Sequence, residues 1–154
     1  MILCDSNVWL ALALSKHGHH TVARDWLESV EEPVSVFFCR ATQQAFLRLL
    51  TNASVLRPYG NPALTNRDAW SAYEAFLSDD RIDWADEPAG VEPLWKKLAG
   101  RPTASPKLWM DAYLAAFALA GRYQMVTIDD AFRQFRGLDL LVLGPSRPPL
   151  ASLS

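Results

Sequence analysis

Short apolar runs alternate along this chain with longer stretches of helical periodicity, and that alternation limits the fold more than any other feature. MILCD (1–5), VSVFF (34–38), QMVTI (124–128) and LDLLVL (138–143) are short and apolar and read as buried strands, with RIDWA (81–85) as a weaker fifth. Helices are expected from Ser6 or Asn7 through VWLALAL, over 21–30 and 41–52, from a Thr65 cap to Leu77, in a short segment to Leu98, and over 107–120, ended by Gly121. DAFRQF reads as a helical turn, and 57–66, with two prolines and a glycine, as a loop. Strands separated by helices must be joined by crossovers, which implies a mostly parallel sheet covered on both faces. The expected architecture is therefore α/β, a mostly parallel central sheet flanked by helices. One domain is expected over 1–145, followed by a C-terminal tail, 146–154, that frays.

Composition narrows the function classes. The chain has 154 residues, half of them apolar, enough for a self-sufficient core. A formal charge of −2 gives no bulk attraction to nucleic acid or membrane. Cys4 and Cys39 lie in separate apolar runs with no metal-type spacing, which fits a reduced interior better than a disulfide scaffold. VWLALAL follows Asp5 with no basic residue before it, and no run approaches the ~18 apolar residues of a span. A soluble, cytoplasmic protein with no membrane partner is expected. Charge is uneven, however. Eight acidic residues fall between Asp68 and Glu92, and five basic ones (96, 97, 101, 107, 122) surround Asp111. These are either two solvated faces or a basic rim that draws in a polyanion.

Carboxylates recur at strand exits. Asp5 closes the first strand, Asp129 follows the strand at 124–128, and Asp111 lies early in the helix before that strand. A right-handed crossover returns the start of that helix to the edge where the strand leaves the sheet, and ligands bind outside the carboxyl ends of such strands. Each aspartate could instead be a helix cap or a first-turn anion. Together they would repel unless a cation neutralised them, and an all-oxygen set suits Mg²⁺ or Mn²⁺ and metal-assisted phosphodiester hydrolysis. No HExxH, CxxC or GxxxxGK[ST] is present, so zinc and nucleotide-cradling chemistry lack a motif.

Four segments, MILCDSNVWLAL, RATQQAFLRLLTN, WMDAYLAAFAL and MVTIDDAF, carry a family resemblance by their order and spacing. From Met1 to about Leu143 the chain resembles PIN-domain ribonucleases of the toxin type found in VapBC toxin–antitoxin pairs. The resemblance implies a PIN fold, Mg²⁺- or Mn²⁺-dependent endoribonuclease activity on RNA, homodimerisation, and inhibition by a cognate VapB-type antitoxin. Carried over by motif, Asp5, Asp111 and Asp129 are the catalytic and metal-binding acids. Thr127, Asp129 and Phe132 match the pattern T-x-D-x-x-F, which selects Asp129 over Asp130. Ser6, Asn7 and Thr127 would support the site. The chain departs from the family in the third helix, where Arg48 places the usual glutamate slot at Ala45. Gln43 or Gln44 could supply a neutral oxygen instead, and Arg48 could meet acids or phosphate.

Three functions follow for comparison. The first is the metal-dependent ribonuclease toxin. The second, motivated by Ala45, is a PIN-fold module that binds RNA or an antitoxin without cutting. The third is a phosphotransferase of the haloacid-dehalogenase type with Asp5 as nucleophile, but Asn7 stands where that chemistry needs a second aspartate. His17, His19 and His20 are assigned to a solvated turn. The six tryptophans are assigned to core or dimer surface.

Overall fold

The computed structural model describes residues 1–144; position 145 and the tail expected over 146–154 lie outside the described residues. The sheet has five strands in the order β3-β2-β1-β4-β5, all paired in parallel. They are β1 (Ile2–Cys4), β2 (Val36–Phe38), β3 (Ile82–Trp84), β4 (Gln124–Thr127) and β5 (Leu140–Val142). The helices are α1 (Ser6–Ala13), α2 (His20–Glu28), α3 (Arg40–Leu50), α4 (Ala53–Leu56), α5 (Asn66–Leu77), α6 (Val91–Ala99) and α7 (Leu108–Gly121). The expected mostly parallel α/β sheet is therefore present, with every strand shorter than its apolar run. At β2 the cause is local. Val34 adopts φ 49°, a left-handed conformation rare for a β-branched residue, and extended pairing begins only at Val36. The expected loop over 57–66 contains a 3₁₀ turn at Arg57–Tyr59, closed by Gly60 at φ 74°.

Strand periodicity splits the core into two layers. Cys4, Val36, Phe38 and Val126 face one layer, packed with Trp9, Phe46, Leu50 and Tyr73 from α1, α3 and α5. Leu3, Phe37 and Met125 face the other, packed with Ala112, Ala115, Phe117 and Ala118 of α7. In the first layer Trp9 stacks on Phe38 with centroids 3.8 Å apart, and its indole N–H donates to the Cys4 carbonyl at 3.1 Å. That ring pins α1 onto the sheet just past Asp5. In the second layer the alanine-rich face of α7 allows the helix to lie close to the strands.

The strand order has a consequence for function. After β1 the chain moves outward through β2 and β3, then crosses back to lay β4 and β5 on the other side of β1. The crevice between the carboxyl ends of β1 and β4 is thus the topological switch point of the sheet.

Candidate active site

Asp5 is the first residue past β1 and is 7% exposed. Its Oδ1 accepts the Ser6 backbone N–H at 2.7 Å, capping α1, and its Oδ2 accepts the Thr127 hydroxyl at 2.8 Å. Thr127 is fully buried at the end of β4. Having donated its proton to Asp5, its oxygen accepts the Asp129 N–H at 3.0 Å and the Asn7 side-chain amide at 3.4 Å. The Asn7 carbonyl oxygen in turn accepts the Ile128 N–H at 3.3 Å. One hydroxyl and one amide therefore tie the exit of β1 to the exit of β4 and fix the course of the chain into Asp129. Capping and site formation are compatible here, because Asp129 also caps the 3₁₀ turn Asp130–Gln134 through the Ala131 N–H at 2.9 Å.

Asp111 completes the group from the first turn of α7. Its carboxyl is pushed up to about 6, chiefly by burial and then by the charges of Asp5 and Asp129. Asp5 is also raised. Burial is the main cause, and Asp129 adds to it against the opposing hydrogen bonds from Thr127 and Ser6. The three acids therefore share one electrostatic environment, with each negative charge opposing the next. Among the described residues, no three His, Cys, Asp or Glu side chains stand close enough to grip an ion as they are. The acids fit a hard divalent cation through their all-oxygen donor chemistry and through the mutual repulsion that a cation would relieve.

Beside the acids lies an open cleft walled by Asp111, Asp129, Arg101, Ser105, Lys107 and Gln134. Arg101 donates to the side-chain oxygen of Gln134, joining the loop before α7 to the turn after β4. Of the five cations expected to surround Asp111, Arg101 and Lys107 line this cleft. Arg122 does not, because it terminates α7 at the end opposite Asp111. Lys96 and Lys97 occupy the last turn of α6. Ser105 and Gln134 carry no signal in the sequence, since short polar residues in loops are common and only their approach to Asp111 and Asp129 distinguishes them.

Other candidates fall elsewhere. Asp130 is exposed and pairs with Arg133 at 2.9 Å, three residues along. Gln43 is buried, and its side-chain oxygen accepts from Arg40 at 2.6 Å. Ala45 and Arg48 share a surface groove with Leu49 and Asn52, and Arg48 also borders Trp70. Gln43 and Arg48, the expected supporting residues of α3, have these neighbours in the fold. His20 Nδ1 lies 2.8 Å from the Ala11 carbonyl and His17 stacks on Tyr59, a packed turn between α1 and α2.

A switch-point crevice in a five-stranded parallel sheet, edged by three aspartates, defines the class. The chain belongs to the PIN-domain family, whose model matches residues 2–138, and within it to the VapC type. It is 58% identical to Ribonuclease VapC41 of Mycobacterium tuberculosis over 144 residues, covering 93% of this chain and 99% of that one. Among solved structures it resembles Mycobacterium tuberculosis VapC20, described as a Sarcin-Ricin loop cleaving toxin, with TM-score 0.63 and 19% identity over 90% of this chain and 98% of the other. It also resembles VapBC2 from Rickettsia felis bound to a DNA fragment from its promoter, with TM-score 0.65 and 16% identity over 92% and 98% of the two chains. At these identities the two structures speak for the fold alone.

Proposed function

We propose that this protein is the ribonuclease toxin of a type II toxin–antitoxin pair, cutting RNA with a divalent cation held by Asp5, Asp111 and Asp129. The observation that carries the reading is the Thr127 clamp, which holds Asp5 and the backbone entering Asp129 at the switch point beside Asp111. The relationship to Ribonuclease VapC41 supplies the substrate class. When bound, Mg²⁺ or Mn²⁺ would supply charge neutralisation and an activated water. The chain's own residues do the rest. Thr127 orients Asp5, Ser6 and Asn7 hold the start of α1, and Arg101 and Lys107 attract the RNA backbone toward the acids. A VapB-type antitoxin and a second copy of the chain are the expected protein partners.

The test compares cleavage of a single-stranded RNA with Mn²⁺, with Mg²⁺ and with excess EDTA, for the parent, Asp5→Asn, Asp129→Asn and Asp130→Asn. Cleavage should require the cation, fall by about 10–100-fold in the first two variants, the scale seen when metal-site partners are removed, and stay within a few-fold of the parent in the third. Cleavage that persists in chelator, or a reversed order of Asp129 and Asp130, contradicts the site. A parent that folds and binds RNA but never cuts it would favour the non-cutting module, for which Ala45 in the glutamate slot is the motivating observation.

A further inference from the structure

A second cleft opens on the far side of Pro106, which also walls the cleft of the acids. It is formed by Arg40 at the start of α3, Glu87 from the loop after β3, Trp95 of α6, and Trp109, Met110 and Tyr113 of α7. Its walls combine three kinds of chemistry. Trp109 is 58% exposed and Met110 48%, unusual for large apolar side chains two positions or fewer from an acid of the site. Trp109 is nonetheless held in place. Its carbonyl accepts the Trp95 indole N–H at 3.0 Å, and Trp95 meets the rings of Trp109 and Tyr113 edge-on at 6.0 and 5.5 Å. The Glu87 Oε2 is fixed by the Tyr113 hydroxyl at 2.6 Å, while its other oxygen has no partner among the described residues. Tyr113 itself is held protonated by burial and by that carboxylate. Arg40 lies 4.2 Å over the Trp84 ring, adding a positive charge at the cleft edge.

We propose that this cleft is a nucleobase subsite for an unpaired nucleotide next to the scissile phosphate, with Trp109 as stacking platform and Glu87 as acceptor for a base amino group. The proposal rests on the ribonuclease reading of the adjacent acids. Three observations favour RNA as the occupant. An open indole face with a cation nearby is the equipment that single-stranded nucleic acid uses, because every base has a π-face to stack. A fixed carboxylate accepts from exocyclic amino groups, which adenine, cytosine and guanine carry and uracil lacks. Pro106 borders both clefts, so a strand in this cleft runs on toward Arg101 and Lys107. Among the tryptophans expected in core or dimer surface, Trp109 faces solvent beside the acids.

The test measures equilibrium binding in EDTA, where no cleavage is expected, so that the subsite and the metal reading fail separately. The probes are single-stranded hexamers of adenylate, cytidylate and uridylate, followed by fluorescence anisotropy and by quenching of tryptophan emission. For the parent, the adenylate and cytidylate hexamers should bind tighter than the uridylate hexamer and quench emission. Trp109→Ala should weaken binding by about tenfold and remove most of the quenching, with Trp109→Phe recovering much of the affinity. Glu87→Gln should erase the preference over uridylate with little change in the quench. Unchanged affinity in Trp109→Ala, judged folded by circular dichroism, overturns the proposal. So does a Trp109→Ala chain whose oligomeric state or antitoxin binding changes while RNA binding does not, which would assign this face to a protein partner.

Discussion

Thr127 and Asp111 show how single residues set the chemistry. The Thr127 hydroxyl has one proton and gives it to Asp5, which leaves its lone pairs to receive Asp129 and Asn7. Asp111 has no such donor among the described residues, and its burial among like charges favours its proton. The consequence for stability has a definite sign. An unfolded aspartate titrates near 3.8, whereas folded Asp111 titrates at about 6, so the native chain holds this proton more tightly than the unfolded one. The stabilisation is full below the unfolded value and is lost as pH rises toward and through the folded one. Asp5, raised in the same direction, adds to the slope. In EDTA, Asp111→Asn should therefore be more stable than the parent at pH 7.5 by on the order of 1–2 kcal/mol, after discounting for partial solvent access, and nearly equal to it at pH 4. Urea denaturation at both pH values checks this. A variant less stable than the parent at pH 7.5 contradicts the shared electrostatic site.

At the scale of elements, α7 connects the two clefts and carries an instructive exception at its end. Gly121 is expected to end the helix and is its last residue, but the left-handed residue is the next one, Arg122 at φ 57°. The glycine is required for space. A Cβ at position 121 would overlap the Tyr123 ring and meet Pro88 Cγ at 2.9 Å. Tyr123 cannot yield easily, since its ring packs against Phe37 and Phe117 at 5.6 and 5.7 Å. Gly121→Ala should therefore cost about 1–3 kcal/mol, as overpacking does. Arg122→Gly should be neutral or stabilising by up to about 1 kcal/mol, because it relieves a left-handed side-chain residue at some entropic cost in the unfolded chain. Thermal melts of both variants test the assignment, and the opposite ranking would return the stop signal to Gly121.

For the whole molecule, the expected readout is growth. An RNA-cutting toxin acts on the cell unless a partner covers it, and exposed apolar side chains such as Trp70, beside Arg48 and Leu47 between α3 and α5, give an amphipathic partner segment something to cover. Expression of this chain alone should arrest growth, Asp5→Asn should abolish the arrest, and co-expression with the cognate VapB-type protein should restore growth to near the uninduced rate. Unaffected growth with abundant folded protein contradicts the toxin reading. No helix among the described residues is long and apolar enough to cross a membrane.

The alternation of apolar runs with helical periodicity suffices for a parallel α/β sheet, because burial on both faces demands near-continuous apolar strands and crossovers demand helices. The strand-exit positions of Asp5 and Asp129 follow from the same local patterns, and T-x-D-x-x-F distinguishes Asp129 from Asp130. Local pattern says nothing about strand order, which is set by long-range pairing. It is the placement of β4 beside β1 that turns two separate strand exits into one crevice. Helix register was equally invisible. Gln43 and Arg48 stand near the right place along the chain, but rotation about α3 decides that one meets Arg40 and the other a surface groove. The aromatic cleft was hidden for a related reason. Trp95, Trp109 and Tyr113 look like core residues at helical spacing, and only the packing of α6 against α7 leaves the face of Trp109 in solvent beside the acids.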